Sequence, residues 1–314
     1  MSTSKGLHNK VVLFRIRGLT FVSFGLLAAI GAVVTVWLTM ARQVQIGLPL
    51  SRYLLPLFLS CPLLAVLGSR LLALLIDWRT LRRDPRAALL STAFAWQGGF
   101  VLTVGGVAFV GALLGVEPLL LLDTFALALP LGHAIGRLGC HTYGCCHGKP
   151  TRGRVAIVYT NPEAKAVRVS RLGGVALHPA QLYAVGTNLL VFAVLDQLAG
   201  WTLPAGLIAA SYLMLHSACR FVVERFRGVT APRWRGLSVY QLIAVGLFVG
   251  GALLAAYTGL ARAATPVRLG GVAELAPALG LVVGRYGALL LVTFVTIFFA
   301  FGVHGRRVGS LARS

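Results

Sequence analysis

The stretch that decides the fold is LGHAIGRLGCHTYGCCHGKPT, residues 131–151, which joins the end of an apolar run to a polar segment. It holds three of the five cysteines of the chain, together with His133 and Arg137. Four glycines follow His133 at short intervals, namely Gly136, Gly139, Gly144 and Gly148. Polar and reactive groups are costly beside hydrocarbon. Their concentration here indicates metal binding, a disulfide or catalysis.

The rest of the chain has the composition of a membrane protein. Of its 314 residues, 57% are hydrophobic and 12% are charged, whereas about a quarter of a soluble domain is charged. Several apolar runs reach the roughly 20 residues that a helix needs to cross a bilayer. We therefore expect an all-α polytopic membrane protein. The expected spans are residues 19–38, 53–75, 88–114, 119–138, 181–198, 203–226, 237–257 and 275–301.

The connections between these runs carry most of the charge. The chain has 29 Lys and Arg against 8 Asp and Glu, a net charge of +21. Because the basic residues lie between membrane spans, we expect anionic lipid headgroups as partners and no nucleic acid. The first run is too long for the apolar core of a cleavable signal peptide, so we interpret it as a retained span.

The longest polar connection is residues 139–177. Its stretch VAIVY, residues 155–159, is β-prone. We expect a small water-exposed cap here, with a short pair of strands.

Two groups of charged residues fall within predicted spans. His133 and Arg137 are four residues apart and share a helix face, and Gly136 beside them leaves room for a ligand. His216, Arg220 and Glu224 also recur at intervals of four. Arg220 and Glu224 either neutralise each other as an ion pair, or Glu224 orients Arg220 to hold a phosphate.

The cysteines allow three interpretations. Cys140, Cys145 and Cys146, with His141 or His147, offer enough ligands for zinc, but their spacing is not that of a zinc knuckle. A disulfide between Cys140 and one of the adjacent pair is the second interpretation. A thiol nucleophile is the third. From spacing alone, a disulfide or buried thiols are favoured over metal.

Four stretches, in this order, resemble the prolipoprotein diacylglyceryl transferase family. They are GRLGCHTYGCCHGKPT (136–151), HPAQLY (178–183), RFVVERFRG (220–228) and GLSVYQL (236–242). The GCCHG sequence within the first resembles a divergent branch. The resemblance implies a seven-span inner-membrane enzyme without a cofactor. Such enzymes transfer diacylglyceryl from phosphatidylglycerol to the lipobox cysteine of a preprolipoprotein signal peptide, the first step of lipoprotein biosynthesis.

The resemblance also implies roles for particular residues. The phospholipid-binding arginines correspond to Arg137 and Arg220, and the paired glutamate to Glu224. The family has an asparagine where Cys140 stands and a glutamate where Cys145 stands, and its usual histidine base is missing. Our candidates for a base are His133, His216 and His147. The further residues expected at the phospholipid site are Gly136, Gly139, Gly148, Gln181 and Tyr183.

Two alternatives to this function stay open. The first is a related membrane transferase with another acceptor or lipid donor, which the replaced site residues favour. The second is a non-enzymatic thiol or metal-binding protein that uses Cys140, Cys145, Cys146 and His147.

The domain division and the orientation are also expectations. We expect a transferase-like membrane domain over residues 1–260 and an extension over 261–314 that carries the eighth span. The positive-inside rule places the more basic side in the cytoplasm. The family places that side in the periplasm, together with the active site. We follow the resemblance, which puts the cysteines in a compartment that permits disulfides.

Overall fold

Helices dominate the structure. The computed structural model describes residues 6–48, 50–90, 96–228, 232–260, 266–305 and 308, with the backbone alone described at 51–62, 87, 89, 90, 96 and 97. In chain order the helices are α1 Ser23–Gln45, α2 Leu50–Ile76, α3 Trp78–Arg83, α4 Pro85–Leu90, α5 Trp96–Leu113, α6 Pro118–Tyr143, α7 Lys165–Arg168, α8 Ala180–Ala199, α9 Leu207–Glu224, α10 Val239–Leu260 and α11 Ala276–Gly302.

Short antiparallel strands join the helix ends. They are β1 Val12–Ile16, β2 Leu19–Val22, β3 Ile157–Val158, β4 Ala176–Leu177, β5 Leu203–Pro204, β6 Arg233–Trp234, β7 Leu237–Ser238, β8 Pro266–Val267 and β9 Val303–His304. One sheet has the order β1-β2-β9, and the others are the pairs β3-β4, β5-β8 and β6-β7. The strand pair expected in the connection after the fourth span is therefore confirmed, because β3 pairs with β4.

The first long helix begins later than the sequence predicted. Residues 19–22, predicted to begin the first span, form β2 instead. They pair with β1 across Arg17 and Gly18, which both have positive φ angles, at +47° and +82°. Two such residues make a hairpin turn whose twist suits antiparallel strands. Because a hydropathy pattern carries no information about this turn, the helix was predicted to begin too early.

Four further boundaries were wrong. Residues 203–204 and 237–238, predicted to begin spans, are the strands β5 and β7. Helix α6 continues past its predicted end at 138 to Tyr143, which makes Cys140 helical. The predicted third span began at residue 88, but residues 88–90 belong to α4, and residues 91–95 lie outside the described part of the chain.

Six of the described helices are long and apolar enough to cross a membrane: α1, α6, α8, α9, α10, and α11 with the turn before it. Two shorter apolar stretches are Leu63–Ile76 in α2 and Gly98–Leu113 in α5. The chain is therefore a multi-pass membrane protein.

Residues 43–124 form a compact unit in which α2 lies against α5. A Cβ atom on Gly68 would overlap the carbonyl oxygen of Gly98, and one on Gly99 would overlap that of Ala65. Small residues let helix backbones approach closely in lipid. The glycines at 68, 98 and 99 therefore permit the close contact between α2 and α5.

Residues 1–42 and 125–314 form the second unit. Helix α1 crosses α6 where Gly31 faces Gly132, and a Cβ atom on either would lie 2.5 Å from the carbonyl oxygen of the other. Helix α9 contacts both α8 and α10. Gly251 of α10 permits the second contact, since a Cβ there would lie 2.9 Å from the Ala210 carbonyl oxygen. This unit carries α6 and α9, the helices with the charged residues predicted to be functional.

The connections at one end of this unit fold together. Val11, Val22, Tyr159 and Leu177 are all fully buried in one cluster, which joins the N-terminal hairpin to the segment that follows α6. The C-terminal strand β9 extends the same hairpin. The segment after α9 joins them where Lys149 N donates to the carbonyl of Phe226 at 2.9 Å. These four segments therefore lie together at one end of the unit.

At the other end of the unit, Arg42 is buried rather than solvated. It is 1% exposed, and its Nη2 lies 2.8 Å from Asp196 Oδ1. Its Nη1 donates to the backbone carbonyls of Leu269 and Gly270. The first span was predicted to end at residue 38, but α1 continues to Gln45 and so includes Arg42.

Candidate active site

Arg137 and His133 contact each other on one face of α6, as their spacing predicted. Arg137 Nε donates a hydrogen bond to His133 Nε2 at 3.0 Å, and the arginine is 7% exposed. This bond occupies the Nε2 lone pair, which assigns the ring hydrogen to Nδ1. His133 therefore orients the guanidinium of Arg137.

Arg220 and Glu224 form a buried ion pair on α9. Arg220 Nη2 lies 2.6 Å from Glu224 Oε2, and both side chains are less than a tenth exposed. Arg220 Nε is buried and has no hydrogen-bond partner among the described residues. Buried donors nearly always have a partner in folded proteins. An unused guanidinium donor is therefore suited to hold an oxygen of an anionic ligand.

Arg227 joins this pair from the turn after α9. Its Nη1 lies 3.0 Å from Glu224 Oε2, the same oxygen that contacts Arg220. Its guanidinium also lies over the ring of Tyr240, 5.9 Å from the centroid. One carboxylate thus serves two buried guanidinium groups, and the cluster keeps a net positive charge that an anion would neutralise.

Arg137 and Arg220 face one pocket between α6, α8 and α9, together with His133 and His216. The two histidine rings lie 5.3 Å apart between centroids, and His216 also stacks on Tyr212 at 5.2 Å. The two groups that the sequence identified on separate helices therefore meet. The other lining residues are Ala184, Thr187, Asn188, Cys219 and Val223.

The third candidate base, His147, lies elsewhere. Its Nε2 is 2.9 Å from Ser170 Oγ and its Nδ1 is 3.1 Å from the carbonyl oxygen of Gly148. It is therefore engaged within the segment after α6 and is not among the residues that line the pocket.

The three cysteines converge where α6 ends. Cys140 is on the last turn of the helix, and Cys145 and Cys146 follow a reversal of the chain at Gly144, whose φ angle is +72°. Their Sγ atoms all lie within 4.8 Å of one another. All three are free thiols, so the disulfide considered from the sequence is not formed. Their separation suits a single thiophilic metal ion.

The thiol of Cys146 is influenced by two arginines as well as by the other two cysteines. Hydrogen bonds with Cys140 and Cys145, aided by the charges of Arg227 and Arg137, hold the pKa of its thiol well below the usual range. The Cys146 charge acts in turn on Arg220. The cysteine cluster and the arginine pocket are therefore electrostatically connected neighbours.

Gln181 and Tyr183 support this region from α8. Gln181 Nε2 donates to the carbonyl of Cys145 at 2.8 Å and to the hydroxyl of Tyr159 at 3.2 Å. The Tyr183 hydroxyl lies 3.2 Å from His178 Nδ1. Neither residue is among those that line the pocket. The phospholipid-binding role expected for them stays a prediction, while their contacts fix the cysteine turn and the start of α8.

The glycines of this stretch differ in their surroundings. A Cβ atom on Gly136 would meet open space, which agrees with the expected room for a ligand. One on Gly139 would lie 3.2 Å from Phe24 of α1, and one on Gly148 would overlap the carbonyl oxygen of His178. Positions 139 and 148 therefore favour glycine because other chain segments pass close to them.

Comparison with known proteins identifies the family. Residues 11–257 match the prolipoprotein diacylglyceryl transferase family, which is most of the chain. The chain belongs to this family.

Three of the relatives are similar over nearly their whole length. The phosphatidylglycerol–prolipoprotein diacylglyceryl transferase 2 of Clostridium perfringens is 27% identical over 260 residues, 78% of this chain and 94% of that protein. The corresponding transferase of Clostridium tetani is 26% identical, over 76% of this chain and 96% of that protein. That of Parasynechococcus marenigrum is 30% identical, over 77% and 91%.

The stretches that resemble prolipoprotein diacylglyceryl transferases fold against one another. Gly148 N donates to the carbonyl of His178 at 3.2 Å, which joins the first stretch to the second. The bridge between Gly148 and Arg227 joins the first to the third. Gln241 Nε2 donates to the carbonyl of Phe221 at 3.4 Å and joins the fourth to the third. These stretches thus form one connected structure around the arginines.

Arg227 is the residue of this buried cluster that sequence reasoning missed. It lies within the matching stretch RFVVERFRG, but the sequence prediction counted it only as a connection charge. The signal was its spacing of three from Glu224, which brings two side chains together only while the chain stays helical. Backbone bonds from Arg225 and Phe226 back to α9 continue that turn beyond the helix.

Proposed function

We propose that this protein transfers a diacylglyceryl group from phosphatidylglycerol to the lipobox cysteine of a preprolipoprotein. Its relatives are named for phosphatidylglycerol and prolipoprotein, and the family is one of transferases. The observation that carries the proposal for this chain is that Arg137 and Arg220 face one pocket.

The two guanidinium groups suit the phosphate of the lipid donor. Negative charge grows on the leaving phosphate oxygen as the glyceryl C–O bond breaks. Guanidinium N–H donors pair with phosphate oxygens in a planar fork. In a site shielded from water, donors already in place stabilise such charge strongly. His133 fixes Arg137 and Glu224 fixes Arg220, so both forks are positioned before the lipid binds.

The acceptor side requires a thiolate. The acceptor sulfur attacks the glyceryl carbon, the C–S bond forms, and the C–O electron pair passes to the phosphate oxygen of glycerol 1-phosphate. We assign the removal of the thiol proton to His216, which lines the pocket beside the arginines. Glu224 contacts Arg220 and Arg227 and acts by positioning them.

We also propose that eight helices cross the membrane, seven of the family type and α11 as the eighth. The six long apolar helices support this. Helix α2 has 27 residues and α5 has 18. At 1.5 Å per residue these helices are roughly 40 and 27 Å long, comparable with a hydrocarbon core of about 30 Å.

The cap, the domain division and the cellular orientation belong to the same proposal. We assign residues 139–177 to a cap on the pocket, residues 1–260 to the transferase domain and 261–314 to an extension. We place the protein in the inner membrane of a bacterium with the pocket facing the periplasm. The arginine-rich connections at the pocket end of the protein support this orientation, because basic residues there would attract the anionic donor lipid.

Complementation tests the proposed function. The chain is expressed in a bacterium whose own diacylglyceryl transferase is depleted, and prolipoprotein processing is followed by gel mobility and mass spectrometry. We expect growth to be restored and the lipobox cysteine to gain a diacylglyceryl thioether. Unmodified prolipoprotein that accumulates although the chain is present in the membrane fraction would contradict the proposal.

A further inference from the structure

The thiols of Cys140, Cys145 and Cys146 are arranged as one ligand set. Their Sγ atoms lie within 4.8 Å of one another. Three sulfurs that each lie about 2.3 Å from one zinc ion are roughly 3.7–4.0 Å apart. The observed triangle is therefore close to the size that one zinc ion requires.

The backbone around the thiols is held in place from two sides. Cys146 has a φ angle of +54°, which a side chain of its type rarely adopts. Gln181 Nε2, which is buried, fixes the preceding carbonyl of Cys145 at 2.8 Å. The turn is thus preorganised in a conformation that directs Cys145 and Cys146 toward Cys140. Strained backbone maintained by its surroundings is common at functional sites.

The charges nearby suit thiolate ligands. Three thiolates with a divalent ion carry one net negative charge, and Arg137 and Arg227 both act electrostatically on Cys146.

A tetrahedral ion bound by these three thiolates would have one coordination position left for another ligand. His147, the fourth ligand considered from the sequence, is engaged by Ser170 and the Gly148 carbonyl. Among the described residues the group contains these three ligands alone.

We propose that Cys140, Cys145 and Cys146 bind one thiophilic divalent ion of the zinc class, whose fourth position takes the thiol of the acceptor cysteine. Three protein ligands with one open position are the arrangement of catalytic rather than structural zinc sites. This role of the ion rests on the proposed function. The ion would stabilise as a bound thiolate the acceptor sulfur whose proton His216 takes up.

The step balances without a further reactant. The acceptor R–SH binds the ion as R–S⁻, and its proton passes to His216 and then to water. The bound sulfur attacks the glyceryl carbon, the C–S bond forms, and the C–O pair leaves with glycerol phosphate. The thioether product is a weaker ligand than a thiolate, so it dissociates. The oxidation state of the metal ion does not change.

Metal content tests the site independently of activity. The full chain is purified in detergent with reductant, incubated with zinc alone, desalted, and measured by elemental mass spectrometry. We expect one zinc ion per chain. The Cys140→Ser, Cys145→Ser, Cys146→Ser triple variant should fall to background, and Cys219→Ser, a thiol outside the triangle, should keep the metal. Equal zinc in the wild type and the triple variant, or none in either, would overturn the site.

Further measurements distinguish failure of the metal site from misfolding and from failure of the proposed function. Size-exclusion chromatography shows whether the triple variant is folded. If it is not, the single variant Cys146→Ser removes one ligand with less disturbance of the structure. A cobalt-loaded chain should change its visible spectrum when a lipobox cysteine peptide is added but not with the Cys→Ser peptide; no change would overturn the open position. A chain that complements without metal refutes the metal site alone, whereas one that binds zinc but does not complement refutes the proposed function and the ion's role in it.

Discussion

Glu224 holds Arg220 across one turn of α9, with 2.6 Å between Oε2 and Nη2. The same oxygen lies 3.0 Å from Arg227. The carboxylate therefore keeps two buried guanidinium groups close together. Removal of one partner from a buried ion pair typically costs about 3–5 kcal/mol, because a charge is left uncompensated.

The variant Glu224→Gln should therefore be less stable and inactive. The amide can still accept a hydrogen bond but cannot neutralise either arginine. We expect thermal unfolding in detergent to shift to a lower temperature, and added phosphatidylglycerol to recover part of the loss because its phosphate supplies the missing negative charge. If stability is unchanged, the ion pair does not organise this region.

Arg137→Ala should abolish transfer while the protein stays folded. Loss of one donor that stabilises a developing anion reduces turnover roughly 100- to 1000-fold. Arg137→Lys should recover little, because an ammonium lacks the planar fork. Arg154→Ala, an exposed arginine after the cysteine turn, is the matched control and should behave like the wild type. Initial rates with saturating phosphatidylglycerol measure these differences.

The two pocket histidines should respond differently to substitution. His133 accepts the Arg137 hydrogen bond, so His133→Gln, which keeps an acceptor, should retain more activity than His133→Leu. His216→Gln should lose the acid limb of the pH–rate profile, since the group that accepts the proton is gone. Profiles of turnover against pH for the three variants test this assignment. An unaltered profile for His216→Gln would exclude it as the base.

Two glycines separate stability from activity. Gly148→Ala places a methyl group onto the His178 carbonyl oxygen, and overpacking of this kind costs about 1–3 kcal/mol. Gly136→Ala meets open space and should leave the unfolding temperature unchanged or raise it slightly, since alanine favours a helix. If that space admits the lipid, Gly136→Ala should raise KM for phosphatidylglycerol. Thermal unfolding and KM measured on both variants check this.

Much of the fold follows from hydropathy, and the exceptions have one cause. A long helix lies over each predicted span, because about 20 apolar residues have few other stable arrangements in lipid. Residues 19–22 were predicted wrongly because their strand depends on the turn at Arg17 and Gly18 and on β9, far away along the chain. The end of α1 was misplaced for the same reason, since Asp196 is the partner of Arg42.

The contacts of the candidate site were predictable where both residues lie close together in the sequence. The spacing of four in His133 with Arg137, and in Arg220 with Glu224, gave both pairs. That both pairs face one pocket depends on how α6 and α9 pack, which the spacing does not contain. The resemblance provided that link. The closeness of Cys140 to Cys145 and Cys146 depends on a helix that extends to Tyr143 and on the turn at Gly144, and neither was predicted.

The most direct test of the central claim is a transfer assay with the purified chain. The protein in phosphatidylglycerol vesicles is mixed with a lipobox peptide, and the peptide is analysed by mass spectrometry. The account predicts a diacylglyceryl thioether on the peptide cysteine, equimolar glycerol phosphate, and neither product from Arg137→Ala or from a peptide with serine in place of cysteine. A folded wild-type chain that leaves the peptide unmodified, in vesicles where a known family member modifies it, would contradict the account.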